Sequence, residues 1–386
     1  MTVLYILDPG TVGGATHAFK DMVIQMKSLG VHPIVCTSGI NEFNTELTNL
    51  SIENVAIGHE TVLTQCSFHG VRWPYYLLKK YVKYQIQERR SLKKLRKEVD
   101  LSKVDLIHTN SARNDVGCFV NKKYGIPHVC HIREFADKDF DCISLNPWYI
   151  DFFNKHTTKF IAISNAVKNH WIKKGIIEDK ILLIYDGVSY KDIIKSDDMS
   201  KFDKTLKCVI AGGVFPTKGQ HLATEAIGML PEDIKNNFTL NVLGWYSSNY
   251  VERIQLKAQE DGIADNIHFM GARDNIHKSL GQYQIGFMCS RSEGFGLVTA
   301  EYMHAQLTVL ASDSGANPEL ITDGQEGLLF ENGNAKDLSD KLLKLYYDRQ
   351  LMIRLSNEAK HKAETCFTDE INAKNIYKLY NKIIEK

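Results

Sequence analysis

Short apolar runs rich in β-branched and aromatic residues alternate with longer stretches of helical periodicity along the whole chain. Val3–Leu7, Pro33–Thr37, Leu106–His108, His128–His131, Phe160–Ile163 and Ile181–Tyr185 predict a first series of strands. Cys208–Ala211, Thr239–Leu243, Ile267–Met270, Ile285–Cys289, Thr308–Ala311 and Gly327–Phe330 predict a second. Most are continuously apolar rather than alternating, the mark of parallel strands covered on both faces. Helix-length segments separate them, so each half reads as βα repeats around a parallel sheet. The polar stretch Lys191–Lys204 divides the two series. The expected organisation is a first domain over 1–190, a linker over 191–204, a second domain over 205–365 and a terminal segment over 366–386. In that last segment Ile376, Leu379, Tyr380, Ile383 and Ile384 trace the stripe of an amphipathic helix.

Composition adds limits. The chain has 386 residues, 44% apolar and 24% charged, with a formal net charge of +1. These are the proportions of a soluble globular protein, and the balanced charge argues against a nucleic-acid binder. No apolar run reaches the ~18 residues of a membrane-spanning helix. The opening residues lack the basic and long apolar regions of a signal peptide, so they are expected to form a buried strand. Cys36, Cys66, Cys118, Cys130, Cys142, Cys208, Cys289 and Cys366 are scattered without a CxxC pair, which suits reduced thiols and a cytoplasmic protein.

One segment departs from the balance. Residues 72–97 hold ten basic residues and one acid, a local charge of +9, interleaved with Trp73, Tyr75, Tyr76, Tyr81 and Tyr84. Such a helix suits an anionic membrane surface, with aromatics at headgroup level and cations on lipid phosphates. The alternative is a solvated helix whose stripe Leu77, Tyr81 and Tyr84 packs on its own domain.

Three glycine loops carry the candidate chemistry. The first strand ends in Asp8-Pro-Gly-Thr-Val-Gly-Gly-Ala15, before a helix expected from about His17 to Leu29. Its glycines lack the GxGxxG spacing of a dinucleotide site, and the second strand lacks the acid for a ribose hydroxyl. The second half opens alike: strand Cys208–Ala211 leads to Gly212-Gly-Val-Phe-Pro-Thr-Lys-Gly219, where Lys218 is a candidate phosphate partner. The third loop, Ser292-Glu-Gly-Phe-Gly-Leu-Val-Thr-Ala-Glu301, precedes a helix expected near Leu297. Free amides at that helix end favour an anion, while Glu293 and Glu301 suit hydroxyls. Together they suggest a ligand carrying both a diphosphate and sugar hydroxyls.

This third loop resembles the signature of retaining glycosyltransferase family 4. The likeness continues through Leu310-Ala-Ser-Asp-Ser-Gly-Ala-Asn-Pro-Glu-Leu-Ile321, Asp323-Gly-Gln-Glu-Gly-Leu-Leu-Phe330, Pro216-Thr-Lys-Gly219, Ile184-Tyr-Asp-Gly-Val188, Ile161-Ala-Ile-Ser164, Gly125-Ile-Pro-His-Val-Cys-His131 and Gly13-Gly-Ala15. The resemblance implies an α/β protein of the GT-B fold, two Rossmann-like domains facing across a cleft. The first would bind the acceptor and the second the nucleotide sugar, with the final helix returning to the first. It implies that Glu301 holds the ribose and Glu293 the transferred sugar. Gly294, Phe295, Gly296, Leu297 and Val298 would cover sugar and diphosphate. Lys218 would neutralise the pyrophosphate, His131 would stand near the reacting carbon, and Gly13 and Gly14 would approach the phosphates.

The chain departs from the family pattern at two places. Gly213 stands where an arginine usually joins the lysine on the pyrophosphate, which makes Arg291 the candidate second cation. Asp186 stands where an asparagine is frequent. The Asp137-Lys-Asp139 and Asp139-Phe-Asp141 pairs look like metal-binding DxD motifs but follow a strand of the first half, so no metal and no other cofactor is expected. The implied activity is retaining transfer of a hexosyl group, most simply from a UDP-sugar, to a glycan or lipid-linked acceptor in polysaccharide assembly. The alternatives are a non-catalytic partner of the same fold that binds a glycan or protein, and a sugar-nucleotide epimerase.

Overall fold

The computed structural model describes residues 1–7, 13–65, 73–194, 205–246, 248–273 and 276–385. The chain divides into two compact units, one of Met1–Asp186 with Asp369–Lys386 and the other of Gly187–Thr368. The first glycine loop up to position 12, Cys66, Arg72, and the predicted linker from position 195 to 204 lie outside the described residues. Residues 187–194, partly within that linker, belong to the second unit.

The first unit contains β1 (Thr2–Ile6), β2 (His32–Thr37), β3 (Glu53–Ala56), β4 (Leu63–Gln65), β5 (Leu106–Thr109), β6 (His128–Ile132), β7 (Cys142–Ser144), β8 (Lys159–Ala162) and β9 (Ile181–Leu183). Seven of them form a parallel sheet in the order β3-β2-β1-β5-β6-β8-β9. β1 shows why its sequence is continuously apolar. Val3 and Tyr5 enter one core with Phe19, Met22, Ile376 and Tyr380, while Leu4 and Ile6 enter another with Leu95, Val116 and Val120. Alternate residues of a strand point to opposite faces, so two cores demand one unbroken run. The first core is covered by the helices Gly14–Ser28 and Asp369–Ile384, the second by Trp73–Glu98 and Val116–Tyr124.

Three strands were not expected. β3 is a short edge strand carrying Glu53 and Asn54, and β4 and β7 pair antiparallel over three residues each. The first helix also begins at Gly14 rather than His17, because the Gly13 carbonyl already accepts from Thr16 and His17 at 2.9 and 3.1 Å.

The second unit contains β10 (Leu206–Ala211), β11 (Phe238–Leu243), β12 (Ile267–Gly271), β13 (Ile285–Met288), β14 (Thr308–Ser312) and β15 (Gly327–Phe330). They form a parallel sheet in the order β12-β11-β10-β13-β14-β15 over a core that includes Ile210, Leu240, Phe287 and Phe330. In both units strand order reverses once, between β1 and β5 and between β10 and β13. Ligands of open α/β sheets bind outside the carboxyl ends of the strands at such a switch point. Gly13 follows β1, Lys218 follows β10 and Glu293 follows β13, so all three candidate loops lie at a switch point of their own unit. Among the described residues, no helix is long and apolar enough to cross a membrane.

Candidate functional site

In the second unit, close backbone packing shapes the site. Gly219 has φ +73°, and a Cβ there would overlap the Cys289 carbonyl, so the β10 loop can lie directly on the end of β13. The Arg291 amide donates to the Thr217 carbonyl at 2.9 Å, which stitches the two loops together. Gly315, at φ +60°, packs its Cα against the Glu293 backbone, and the Ala316 amide donates to the Glu293 carbonyl at 2.9 Å. Ser312 and Ser314 hydroxyls both donate to the Ser290 carbonyl. The loop after β13 is therefore fixed from both sides before any ligand arrives.

That rigidity brings predicted residues together. Lys218 Nζ lies 2.9 Å from Glu293 Oε2, although 75 positions separate them. The helix Leu297–His304 starts from Gly296 at φ +95°, a left-handed turn that glycine adopts without strain. Leu297 and Val298 are half-buried at its first turn, where amides lack intrahelical acceptors. Gly294 is half-buried as well, while Phe295 is buried with its ring 5.6 Å from that of Phe367. Glu301, one turn further, pairs with His277 Nε2 at 3.2 Å. His277 was missed in the sequence because nothing in its surroundings marks it; only folding brings its four-residue helix beside Glu301. Arg291 is exposed on the same loop as Glu293.

Gly213 has a structural reason. A Cβ at this position would come within 2.5 Å of the Phe215 ring, so the aromatic ring occupies the space of the expected arginine side chain.

The first unit holds the remaining candidates. Gly13 and Gly14 are exposed at the start of the helix Gly14–Ser28. Gly13 is extended, at φ 175°, and among the described residues no atom lies within 4 Å of a Cβ built there. His131 is fully buried on β6, with its ring 5.3 Å from that of His108. Its Nε2 lies 3.8 Å from Asp186 Oδ1, and among the described residues neither ring nitrogen has a hydrogen-bond partner. Burial, then the nearby Arg133 and His108, hold its imidazole well below the usual pKa, so it is neutral. Asp186 forms a buried ion pair with Arg133, whose Nε donates to Asn110 Oδ1 at 2.8 Å. This pair accounts for the acid in place of the frequent asparagine: a buried guanidinium needs an anion. Asp137, of the DxD-like motif, pairs instead with His170 and Lys174 at 2.9 and 2.8 Å. Among the described residues, no group of three or more His, Cys, Asp or Glu side chains is placed to hold a metal ion.

The unit with Lys218, Glu293 and Glu301 can thus hold an anion at a helix end and hydroxyls on two carboxylates. Comparisons with known proteins place the fold in a family. The family model for glycosyl transferases group 1 matches residues 193–362, and the model for glycosyltransferase family 4 matches 12–191. An uncharacterized glycosyltransferase of Methanocaldococcus jannaschii is 25% identical over 369 residues, 93% of each chain. Phosphatidyl-myo-inositol mannosyltransferase of Mycobacterium leprae is 25% identical over 206 residues, 52% of each chain. Among solved structures, Anabaena HepE in complex with UDP superposes with a TM-score of 0.80 at 19% identity, covering 99% of this chain and 100% of that one. Two Rossmann-like units of this kind match the GT-B architecture, and the two family models together span most of the sequence. The chain belongs to the group 1 glycosyltransferases of family 4.

Proposed function

We propose that this glycosyltransferase moves a hexosyl group, with retention, from a UDP-sugar to a lipid-linked glycan at an anionic cytoplasmic membrane surface, in polysaccharide assembly. The observation that carries the donor half is the Lys218–Glu293 pair beside the helix Leu297–His304, with Glu301 one turn inside it. The ribose would take Glu301, and the diphosphate would take the helix amides with Lys218 and Arg291. Glu293, released from Lys218, would take hydroxyls of the transferred sugar. As the glycosidic bond breaks, its electron pair moves to a β-phosphate oxygen. Donors already fixed there gain strength at that moment. The cations and the helix end would offset this negative charge without a metal ion. HepE was solved with UDP and with UDP-glucose, which supports the choice of base.

Titration calorimetry with UDP tests the donor half. Glu301→Ala is expected to weaken binding at least about tenfold, since it deletes a charged acceptor from a hydroxyl site. Unchanged affinity would remove Glu301 from the donor site.

The acceptor half rests on the helix Trp73–Glu98. Tyr84, Ser91 and Leu95 are its buried residues, while Tyr75, Leu78, Val82 and Ile86 form an exposed stripe. Tyr81, which the alternative of a solvated helix would pack inward, is exposed too. The mannosyltransferase of M. leprae carries a lipid, phosphatidyl-myo-inositol, in its name. Lys80 is held by Thr64 at 2.7 Å and Lys83 by Glu60 at 2.7 Å, so Lys79, Arg89 and Arg90 are the better cations to change. Each basic residue near an anionic surface contributes about 1 kcal/mol. Flotation with phosphatidylserine vesicles is expected at low salt, to fade at high salt, and to be lost when these three become glutamine. A wild-type protein that never floats would refute the membrane surface.

A further inference from the structure

Two exposed aromatic rings stand at the same sheet edge as the Lys218–Glu293 pair. Phe215 is 39% exposed and Trp245 65% exposed, with ring centroids 5.8 Å apart. Phe215 belongs to the loop of Lys218 after β10, and Trp245 follows β11. Their placement is built rather than incidental. The Val214 amide donates to the Trp245 carbonyl at 2.9 Å, and Val214 and Tyr246 form a parallel bridge beyond the ends of the strands. That zipper requires glycine at 244, since a Cβ there, at φ +150°, would overlap the Gly212 carbonyl. Gly213 in turn leaves room for the Phe215 ring to lie against its Cα. Two glycines thus hold two large apolar rings in water beside a charged site.

Sheet order says what would cover them. The strands run β12-β11-β10-β13, all parallel, so their following loops lie side by side at one edge. Lys218 follows β10, and His277, which pairs with Glu301, follows β12. The loop bearing Trp245 follows β11, the strand between them. A ligand with phosphates at Lys218 and ribose at Glu301 therefore runs toward the β11–β12 side of the edge, and its next group is the base. We propose that Trp245, backed by Phe215, is the stacking surface for the nucleobase of the donor. The assignment rests on the donor reading above and adds a nucleotide-binding residue to it. Stacking tolerates any base, because every base presents a π face. The shelf therefore strengthens binding of the nucleotide without choosing between uracil and guanine.

The test uses the full chain and three ligands: UDP, GDP and pyrophosphate as a base-free probe. Trp245→Ala is expected to weaken the tighter nucleotide roughly 5- to 150-fold, the worth of one base–aromatic stack. Pyrophosphate affinity and thermal midpoint should stay as in wild type, because the ring is exposed. Nucleotide should also quench wild-type tryptophan fluorescence, and the quenching should vanish in the variant. Phe215→Ala should give a smaller loss of the same kind. If Trp245→Ala binds nucleotide like wild type while Glu301→Ala does not, the shelf is wrong and the donor reading stands. If neither variant changes nucleotide affinity, both fall. A rise in the acceptor KM with nucleotide affinity unchanged would overturn the base in favour of an acceptor sugar ring.

Discussion

The two units share a doubly wound parallel sheet yet treat charge in opposite ways. At the switch point of the second, Lys218 and Glu293 form an ion pair that solvent reaches, with side-chain exposures of 39% and 16%. In the first, Arg133 and Asp186 are buried, and so are His59, His108, His128 and His131. Burial depresses all four imidazoles, His59 and His128 to about 4. Burial also raises the Asp115 carboxyl to about 7, against the hydrogen bond from Tyr84 at 2.5 Å. One fold therefore serves two purposes. An open edge keeps its charges accessible to solvent, and a sealed interior uses its polar groups to hold β5 and β6 to their neighbours.

The largest expected effect separates the units by pH. Asp115 has a folded pKa near 7 against an ordinary 3.8, so the unfolded chain ionises first as pH rises. Its contribution is intact below pH 3.8, declines as pH rises toward 7, and stays lost above. At 1.36 kcal/mol per unit the full shift amounts to roughly 4 kcal/mol. Asp115→Asn keeps an acceptor for Tyr84 but cannot ionise. Urea denaturation at pH 5 and pH 8 should show wild type losing stability relative to the variant as pH rises. A difference independent of pH would mean that Asp115 is not held neutral, and the sealed interior would be the wrong description.

The sequence exposed the open edge better than the sealed interior, for a physical reason. Glycine loops and flanking glutamates mark a ligand site locally, so Lys218, Glu293 and Glu301 could be named from short windows. The twelve expected strands are visible because strands buried on both faces must be apolar throughout. β3, with Glu53 and Asn54 at an edge, escapes that rule, and so do β4 and β7, where Thr64, Gln65 and Ser144 interrupt any apolar run. Partnerships between distant positions leave no local trace. Arg133 and Asp186 lie 53 positions apart, and His277 meets Glu301 only through the fold. Phe215 and Trp245 look like ordinary apolar residues until the zipper beyond β10 and β11 turns both outward.

The ion pairs themselves give the sharpest test of the contrast. Removing one partner of a buried pair leaves the other charged, desolvated and alone, at a cost of about 3–5 kcal/mol. Asp186→Ala should lose stability on that scale, because the buried Arg133 guanidinium then keeps the Asn110 side-chain carbonyl, at 2.8 Å, but no anion. Replacing both residues, with Arg133→Met and Asp186→Leu, should recover most of the loss, since no charge is then buried. Glu293→Ala should change stability by less than about 1 kcal/mol, because water solvates Lys218 when its partner goes. Chemical denaturation of the three variants measures all these values. A Glu293→Ala loss as large as that of Asp186→Ala would mean that the open edge is held together by its charges. In that case the Lys218–Glu293 pair would be a structural strut, and a donor could not separate the two without unfolding the loop that binds it.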